Sequence, residues 1–239
     1  MARISVAMAA CNGERYLPEQ LDSILKQLLP EDEIVVSCDP STDGTMQVLE
    51  AYCRRDSRVR VVPGPGKGIA GNFNNAIAHC TGNYIFISDQ DDRWADNKRQ
   101  RVVQAFGETG ADMVIHNGVN TDEAMEPVSQ PFFQMYRIGD GKLRNLLKPR
   151  YSGCCMAFTR ELAKTILPIP ENMDAYDHWL GTVGEWAGKI TYVEDVLLYH
   201  RLHGGNVTPK RSRSLGTILK ARGKLLLALG KRLHRKEGA

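Results

Sequence analysis

Tyr84-Ile85-Phe86-Ile87-Ser88-Asp89-Gln90-Asp91-Asp92-Arg93-Trp94 is the stretch whose reading decides the fold. Its first four residues are nearly all apolar, as in a central strand buried on both faces of a parallel sheet. The run then stops on three carboxylates within four residues, which repel one another unless a cation or hydrogen-bond donors share their charge. A solvated acidic loop is one reading. The other is a site for Mg²⁺ or Mn²⁺, which accepts one or two carboxylates and completes its shell with diphosphate oxygens. The position directly after a buried strand favours the second.

Working outward, short β-type runs alternate with helical patterns, the signature of a mainly parallel, Rossmann-like α/β sheet flanked by helices. Ile4 to Ala9 reads as the first strand, and Leu17, Leu21, Ile24, Leu25 and Leu28 then share one helical face. Ile34 to Ser37 is the second strand, and the turn-forming loop Asp39 to Thr45 leads into a helix carrying Val48, Leu49 and Tyr52. Val59 to Val62 is a third strand, followed by a Gly/Pro loop and a helix with Phe73, Ala76 and Ile77 inward. In open α/β sheets ligands bind beyond the carboxyl ends of the strands. The segments Cys11-Asn12-Gly13, Asp39 to Thr45 and Asp89 to Asp92 should therefore meet at one site. Past Val114-Ile115 the pattern weakens, and residues 120–150 read as a long mixed segment of the kind that forms lids or substrate-binding loops. Strand character returns at Cys154 to Phe158, a helix near Glu161 to Ile166, another from Asp177, and strands at Ile190 to Val193 and Val196 to Tyr199.

With 239 residues and 42% hydrophobic content the chain can bury a full core. The six cysteines include no CxxC pair, which excludes a metal finger and suits a reducing compartment. Met1-Ala2-Arg3 runs straight into a strand without a signal-peptide pattern, and no apolar stretch approaches the roughly 20 residues of a membrane span. The expected location is cytoplasmic. The net charge of +3 is uneven: residues 210–239 hold ten Lys/Arg against one acid, so the tail is +9 and residues 1–209 are −6. An acidic body without a base-stacking platform argues against nucleic acid as a partner.

The run Asn12-Gly13-Glu14-Arg15-Tyr16-Leu17-Pro18-Glu19-Gln20-Leu21-Asp22-Ser23-Ile24-Leu25-Lys26-Gln27, together with Ser37-Cys38-Asp39-Pro40-Ser41-Thr42-Asp43-Gly44-Thr45 and Ser88 to Trp94, resembles family 2 glycosyltransferases. Within them it is most similar to the bacterial rhamnosyltransferase-type branch. Gly153-Cys154-Cys155-Met156, Tyr176-Asp177-His178-Trp179-Leu180 and His200-Arg201-Leu202-His203-Gly204-Gly205-Asn206 extend the resemblance over residues 3 to about 208. It implies a GT-A fold, an inverting mechanism and a UDP- or dTDP-linked donor. The transferred group is then a hexose or deoxyhexose, and the acceptor a glycan or glycolipid, lipid-linked, in bacterial surface polysaccharide synthesis. The implied donor-binding positions are Ala9, Cys11, Asp39 on the pyrimidine, Asn72, Asp89 and Gln90. Asp91 is the implied ligand of Mn²⁺ or Mg²⁺, with Asp89 as partner, and His203 is either a third ligand or polar surface. Asp92 either joins them or caps a following helix. Two departures bear on the base contact and leave the metal site intact: Ala10-Cys11 stands where the family commonly has Thr-Tyr, and Cys38-Asp39 where it has two acids.

An inverting transfer needs a base on the acceptor side. The resemblance assigns it to Asp177, whose alternative is a helix N-cap. Trp94 and Trp179 flank the proposed centre and offer indole faces for acceptor sugar, or else pack in the core. Lys67 lacks the Walker pattern around it. The organisation expected is a catalytic domain over 1–209, with a nucleotide-binding part to about 118 and a smaller acceptor part from about 119, then a basic tail over 210–239. In the tail, Leu215, Ile218, Leu219, Leu226, Leu229 and Leu233 line one helical face, with Lys220, Lys224, Lys231 and Arg235 opposite. Such a helix suits an anionic membrane surface, here the inner face of the cell membrane; a frayed terminus is the alternative. Two other functions remain in view. A nucleotidyltransferase would need a basic Gly-rich loop where Asn12-Gly13-Glu14 stands, and a non-catalytic sugar-nucleotide-binding scaffold is motivated by the substitutions at 10, 11 and 38.

Overall fold

The computed structural model describes residues 2–148, 150–171, 173, 175–204 and 215–237. In chain order the elements are β1 (Ile4–Ala10), α1 (Leu17–Leu25), β2 (Glu33–Cys38), α2 (Thr45–Arg55), β3 (Val59–Pro63), α3 (Gly68–His79) and β4 (Tyr84–Ser88). Then come β5 (Arg93–Trp94), α4 (Lys98–Thr109), β6 (Met113–Thr121), α5 (Phe132–Tyr136), α6 (Lys142–Leu147) and a 3₁₀ turn at Gly153–Cys155. The last are β7 (Met156–Thr159), α7 (Arg160–Ile166), α8 (Tyr176–Ala187), β8 (Ile190–Arg201) and α9 (Leu215–Glu237).

The eight strands form one sheet in the order β3-β2-β1-β4-β7-β6-β8-β5. β1 to β4 are mutually parallel, as the alternation of strand and helix predicts. Antiparallel β7 joins that half to β6 and β8. Side-chain alternation along β1 divides the core between two layers. Ile4, Val6 and Met8 face α1, α2 and α4 through Leu21, Leu49 and Val102, whereas Ala7 faces α3, α7 and α8 through Phe73, Ile166 and Val183. Because β1, β2 and β4 point the same way, their carboxyl ends open on one edge, and the loops that follow them are brought together there.

Three expectations change. The two strands expected within 190–199 are one 12-residue strand, β8, bulged where the register passes from Val193 opposite His116 to Val196 opposite Asn117. Residues 120–150 are not without structure: β6 runs on to Thr121, and α5 forms there because Phe132 and Phe133 insert into the core. The tail is helical from Leu215, but the side of α9 that meets the domain carries Leu225 and Leu229, buried to 2% and 3% exposure, while Leu219 and Leu226 face outward. Arg232 fixes that side by donating to Thr165 O at 2.7 Å and Pro168 O at 2.7 Å. No helix among the described residues is long and apolar enough to cross a membrane.

Candidate active site

The acid turn is held from below by α1. Gln20, fully buried, donates from Nε2 to Ser88 Oγ at 2.7 Å and Asp89 O at 3.1 Å, and Ser23 Oγ accepts from Trp94 N at 3.1 Å. Gln90 spans to the loop after β1: its Oε1 accepts from Cys11 N and its Nε2 donates to Cys11 O, both at 2.9 Å. A Cβ at residue 13 would lie 2.2 Å from Gln90 Oε1, so this clamp requires glycine there. Expected to touch donor, Gln90 has its amide occupied by the Cys11 backbone.

The loops after β1 and β2 are laced together. Asn12, at φ 50, accepts from Thr42 N on Oδ1 at 2.8 Å, Gly13 N donates to Thr45 Oγ1 at 2.7 Å, and Glu14 accepts from Gly44 N at 2.7 Å. Asp39 lies at the end of β2, 7% exposed, its Oδ1 accepting from Gly66 N at 2.8 Å. Asn72, 2% exposed, donates to Ala10 O at 3.1 Å while its Oδ1 has no partner in the protein. Ala9, half-buried, pairs with Ser37 in the sheet beneath these loops. The three segments expected to meet therefore do so.

Within the turn the carboxylates separate into different surroundings. Asp91 Oδ2 lies 2.9 Å from His203 Nε2, and the His203 ring stacks on Tyr16 with centroids 4.6 Å apart. Asp89 turns toward α8, its Oδ1 3.5 Å from the Tyr176 hydroxyl. Asp92 is fully buried and does not cap a helix, because β5 follows it and α4 starts only at Lys98. Its Oδ1 pairs with His200 Nδ1 at 2.8 Å, and its Oδ2 is buried with no partner. Arg201, from the run His200 to Asn206, is 3% exposed and acts as a brace: Nε donates to Asp91 O at 3.1 Å, and its other nitrogens meet Glu123 O and Glu19. Asn206 lies outside the described residues.

Electrostatics follows from this crowding. Burial and the neighbouring Asp92 and Asp91 push Asp89 up to about 8. Burial, then the charge of Asp92, raises Asp91 against the opposing pull of His203. Burial works to lower His200, but the charge and hydrogen bond of Asp92 prevail and hold it up at about 12, a protonated partner. Burial lowers Lys98, wholly enclosed behind the turn, to about 8; its Nζ donates to Cys154 O at 3.0 Å and sits 4.2 Å over the Trp94 ring. Burial also raises Asp177, in the first turn of α8, with His178 opposing. Asp177 Oδ1 accepts from His178 N at 2.8 Å, and the α8 N-cap position is Ala175.

Asp91 and His203 present a hard oxygen and an imidazole nitrogen 2.9 Å apart, donors of kinds that Mn²⁺ accepts, with the Asp89 carboxyl in the same turn. Among the described residues, Asp92, Cys154 and His200 are the one trio whose ligand atoms lie within 4.8 Å of one another. That trio already holds an ion pair with Lys98 alongside, so it reads as the support of the turn.

Both tryptophans correct the acceptor expectation. Trp94 is 1% and Trp179 0% exposed, so neither offers an indole face to a sugar. Trp94 packs on Phe86, and Trp179 donates from Nε1 to Ile166 O at 2.8 Å. Trp179→Ala should cost about 3–5 kcal/mol of stability, as large core truncations do, read by denaturant unfolding. A variant of wild-type stability with weakened acceptor binding would restore the stacking role. Tyr16, Lys98, Tyr176 and His200 escaped the sequence reading. Tyr16, Tyr176 and His200 each carried a signal by lying within a run that bears the resemblance, and Lys98 carried none.

The family model "Glycosyl transferase family 2" matches residues 5–167. An uncharacterized glycosyltransferase of Nostoc sp. is 27% identical over 212 residues, covering 85% of this chain and 66% of the relative. Two further curated glycosyltransferases, from Streptococcus pneumoniae and Bacillus subtilis, are matched over 40% and 51% of their length. The chain thus spans from under half to about two thirds of these relatives. Staphylococcus aureus TarS 1-349, solved in complex with UDP-GlcNAc, superposes with a TM-score of 0.75 at 20% identity, covering 95% of this chain and 67% of that one. The mannosyltransferase PcManGT of Pyrobaculum calidifontis, solved with GDP-Man and Mn²⁺, gives a TM-score of 0.64 at 21% identity, covering 97% and 72%. At these identities the two structures establish the fold.

Proposed function

The chain belongs to glycosyl transferase family 2, with the GT-A fold, and from that premise we propose that it moves a hexosyl or deoxyhexosyl group, with inversion, from a UDP- or dTDP-linked donor to a hydroxyl of a lipid-linked glycan. One observation carries this reading: the acid turn meets His203 on one side, through Asp91, and the start of α8 on the other, through Asp89 and Tyr176. A metal-side and a base-side group thus share one edge of the sheet.

Residues up to about 118 bind nucleotide, with Ala9, Cys11 and Asp39 lining the base and ribose, and Asn72, anchored to the end of β1 through Nδ2, offering its unpaired Oδ1. Asp91 and His203, with Asp89 alongside, hold Mn²⁺ or Mg²⁺, which when bound supplies positive charge to the departing diphosphate. Asp177 takes the proton of the acceptor hydroxyl as its oxygen bonds to the anomeric carbon and the bond from that carbon to the diphosphate breaks. Burial raises its affinity for a proton, which strengthens it as a base. Arg201, His200 and Lys98 keep the turn in place without touching substrate. Residues from about 119 to 209 receive the acceptor, and the basic tail holds the enzyme on the inner membrane surface. The UDP-GlcNAc bound to TarS, a protein of the same fold, supports a UDP-linked donor.

A thermal-shift panel of UDP-, dTDP- and GDP-linked sugars with Mn²⁺ tests the donor. A ligand at a hundred times its Kd adds about 2.7 kcal/mol of stability, so one class should raise Tm by several degrees. No response to any sugar nucleotide would sink the donor reading.

A further inference from the structure

We infer that α6 and α9 together form one docking face for an anionic lipid bilayer, so that the membrane is met by the catalytic domain itself and not by the tail alone. This rests on the proposed lipid-linked acceptor and extends it to an element, α6, outside the tail.

The most exposed apolar side chains cluster on two helices. Among the described residues the four most exposed large ones are Leu147 at 72%, Leu219 at 71%, and Leu143 and Leu227 at 70%, all on α6 or α9; the next is Val128 at 56%. Leu143 and Leu147, four apart, share the outer side of α6. Leu219, Arg222 and Leu226 share one side of α9 at helical spacing. The two helices meet there, because Arg222 Nε donates to Leu147 O at 3.1 Å. Trp186, at the end of α8, stands beside α6 with the Lys142 ammonium 5.7 Å from its ring centre, an amphipathic ring of the type that settles at headgroup level. An exposed apolar patch on this scale marks an interaction surface.

Charge selects the occupant. α6 and its flanks carry Lys142, Arg144, Lys148 and Arg150, and α9 carries Lys220, Arg222, Lys224 and Lys231 besides the domain-facing Arg232, with no acid anywhere in 141–151 or 215–236. Leucines in a predominantly basic surround match an acyl boundary beneath anionic headgroups. The adjoining side of α9 packs on the domain through Leu225 and Leu229, so the outward leucines have a fixed orientation relative to the site.

Sedimentation with vesicles of phosphatidylcholine alone, or mixed with phosphatidylglycerol, tests this on the full chain. The wild type should bind the mixed vesicles and not the neutral ones. Leu143→Ser with Leu147→Ser on α6, and separately Leu219→Ser with Leu227→Ser on α9, should each weaken binding on the order of tenfold or more. Neither pair should alter the thermal shift given by sugar nucleotide, which shows that the variants fold. An α6 pair that binds as the wild type does would overturn the two-helix face while leaving the tail reading intact. A wild type that ignores both vesicles would overturn both, and lipid-independent self-association lost in the α6 pair would assign the face to a second copy instead.

Discussion

Asp177→Asn is expected to lower kcat for transfer by about 10²–10⁴-fold, the range over which a positioned general base contributes, while leaving donor affinity unchanged. The substitution separates two roles of one side chain. Asp177 Oδ1 accepts a hydrogen bond from His178 N at 2.8 Å in the first turn of α8, a bond that an asparagine oxygen can also accept. What asparagine cannot do is hold the acceptor proton. The local helix geometry should survive, and with it the Tyr176 hydroxyl beside Asp89. Nucleoside diphosphate release in the presence of acceptor gives the rate, and the thermal shift gives donor binding. Transfer at near wild-type rate would reduce Asp177 to a residue that shapes the helix start.

Asp91→Ala is expected to cost about 10²–10³-fold or more in turnover, the scale of losing one preorganised group that stabilises developing charge. The same change should not destabilise the metal-free protein. A carboxyl whose folded-state pKa is raised favours the folded state least when ionised: its penalty is absent below the ordinary value near 3.8 and grows as pH rises toward the raised one. Ionisation of Asp91 is therefore at the expense of stability, beside Asp89, itself pushed up to about 8. Removing it relieves that repulsion, and denaturant unfolding in chelator should show Asp91→Ala equal to or more stable than the wild type. Lost activity with gained stability is the mark of a group kept for function.

Much of this arrangement could be read from the chain. β1, β2 and β4 carry apolar runs that only a covered sheet accommodates, and the helices after them repeat every three to four residues, so the meeting of their loops follows from topology. Side-chain direction at the site was less legible. Trp94 and Trp179 adjoin acidic motifs, and nothing in their neighbours distinguishes an inward indole from an outward one; β5 and α8 turn both into the core. Gln90 reads as a polar ligand group until the backbone of Cys11 is seen opposite it. Lys98, on α4, looks like any surface lysine and is enclosed entirely by tertiary contacts. In α9 periodicity put Leu229 and Leu233, which pack on the domain, on one face with Leu219 and Leu226, which do not, and passed over Leu225, the most buried leucine of the helix among the described residues. The pairing of Asp92 with His200 was beyond reach because 108 residues separate them.

The central claim is that the acid turn grips a nucleoside diphosphate through a divalent ion at Asp91. Titration calorimetry of UDP and dTDP into the wild type, with Mn²⁺ present and again after chelation, tests it most directly. The account predicts binding of one nucleotide at least about tenfold tighter with Mn²⁺, a coupling of about 1.4 kcal/mol or more, and loss of that difference in Asp91→Ala. Equal affinity with and without Mn²⁺ in the wild type would contradict it.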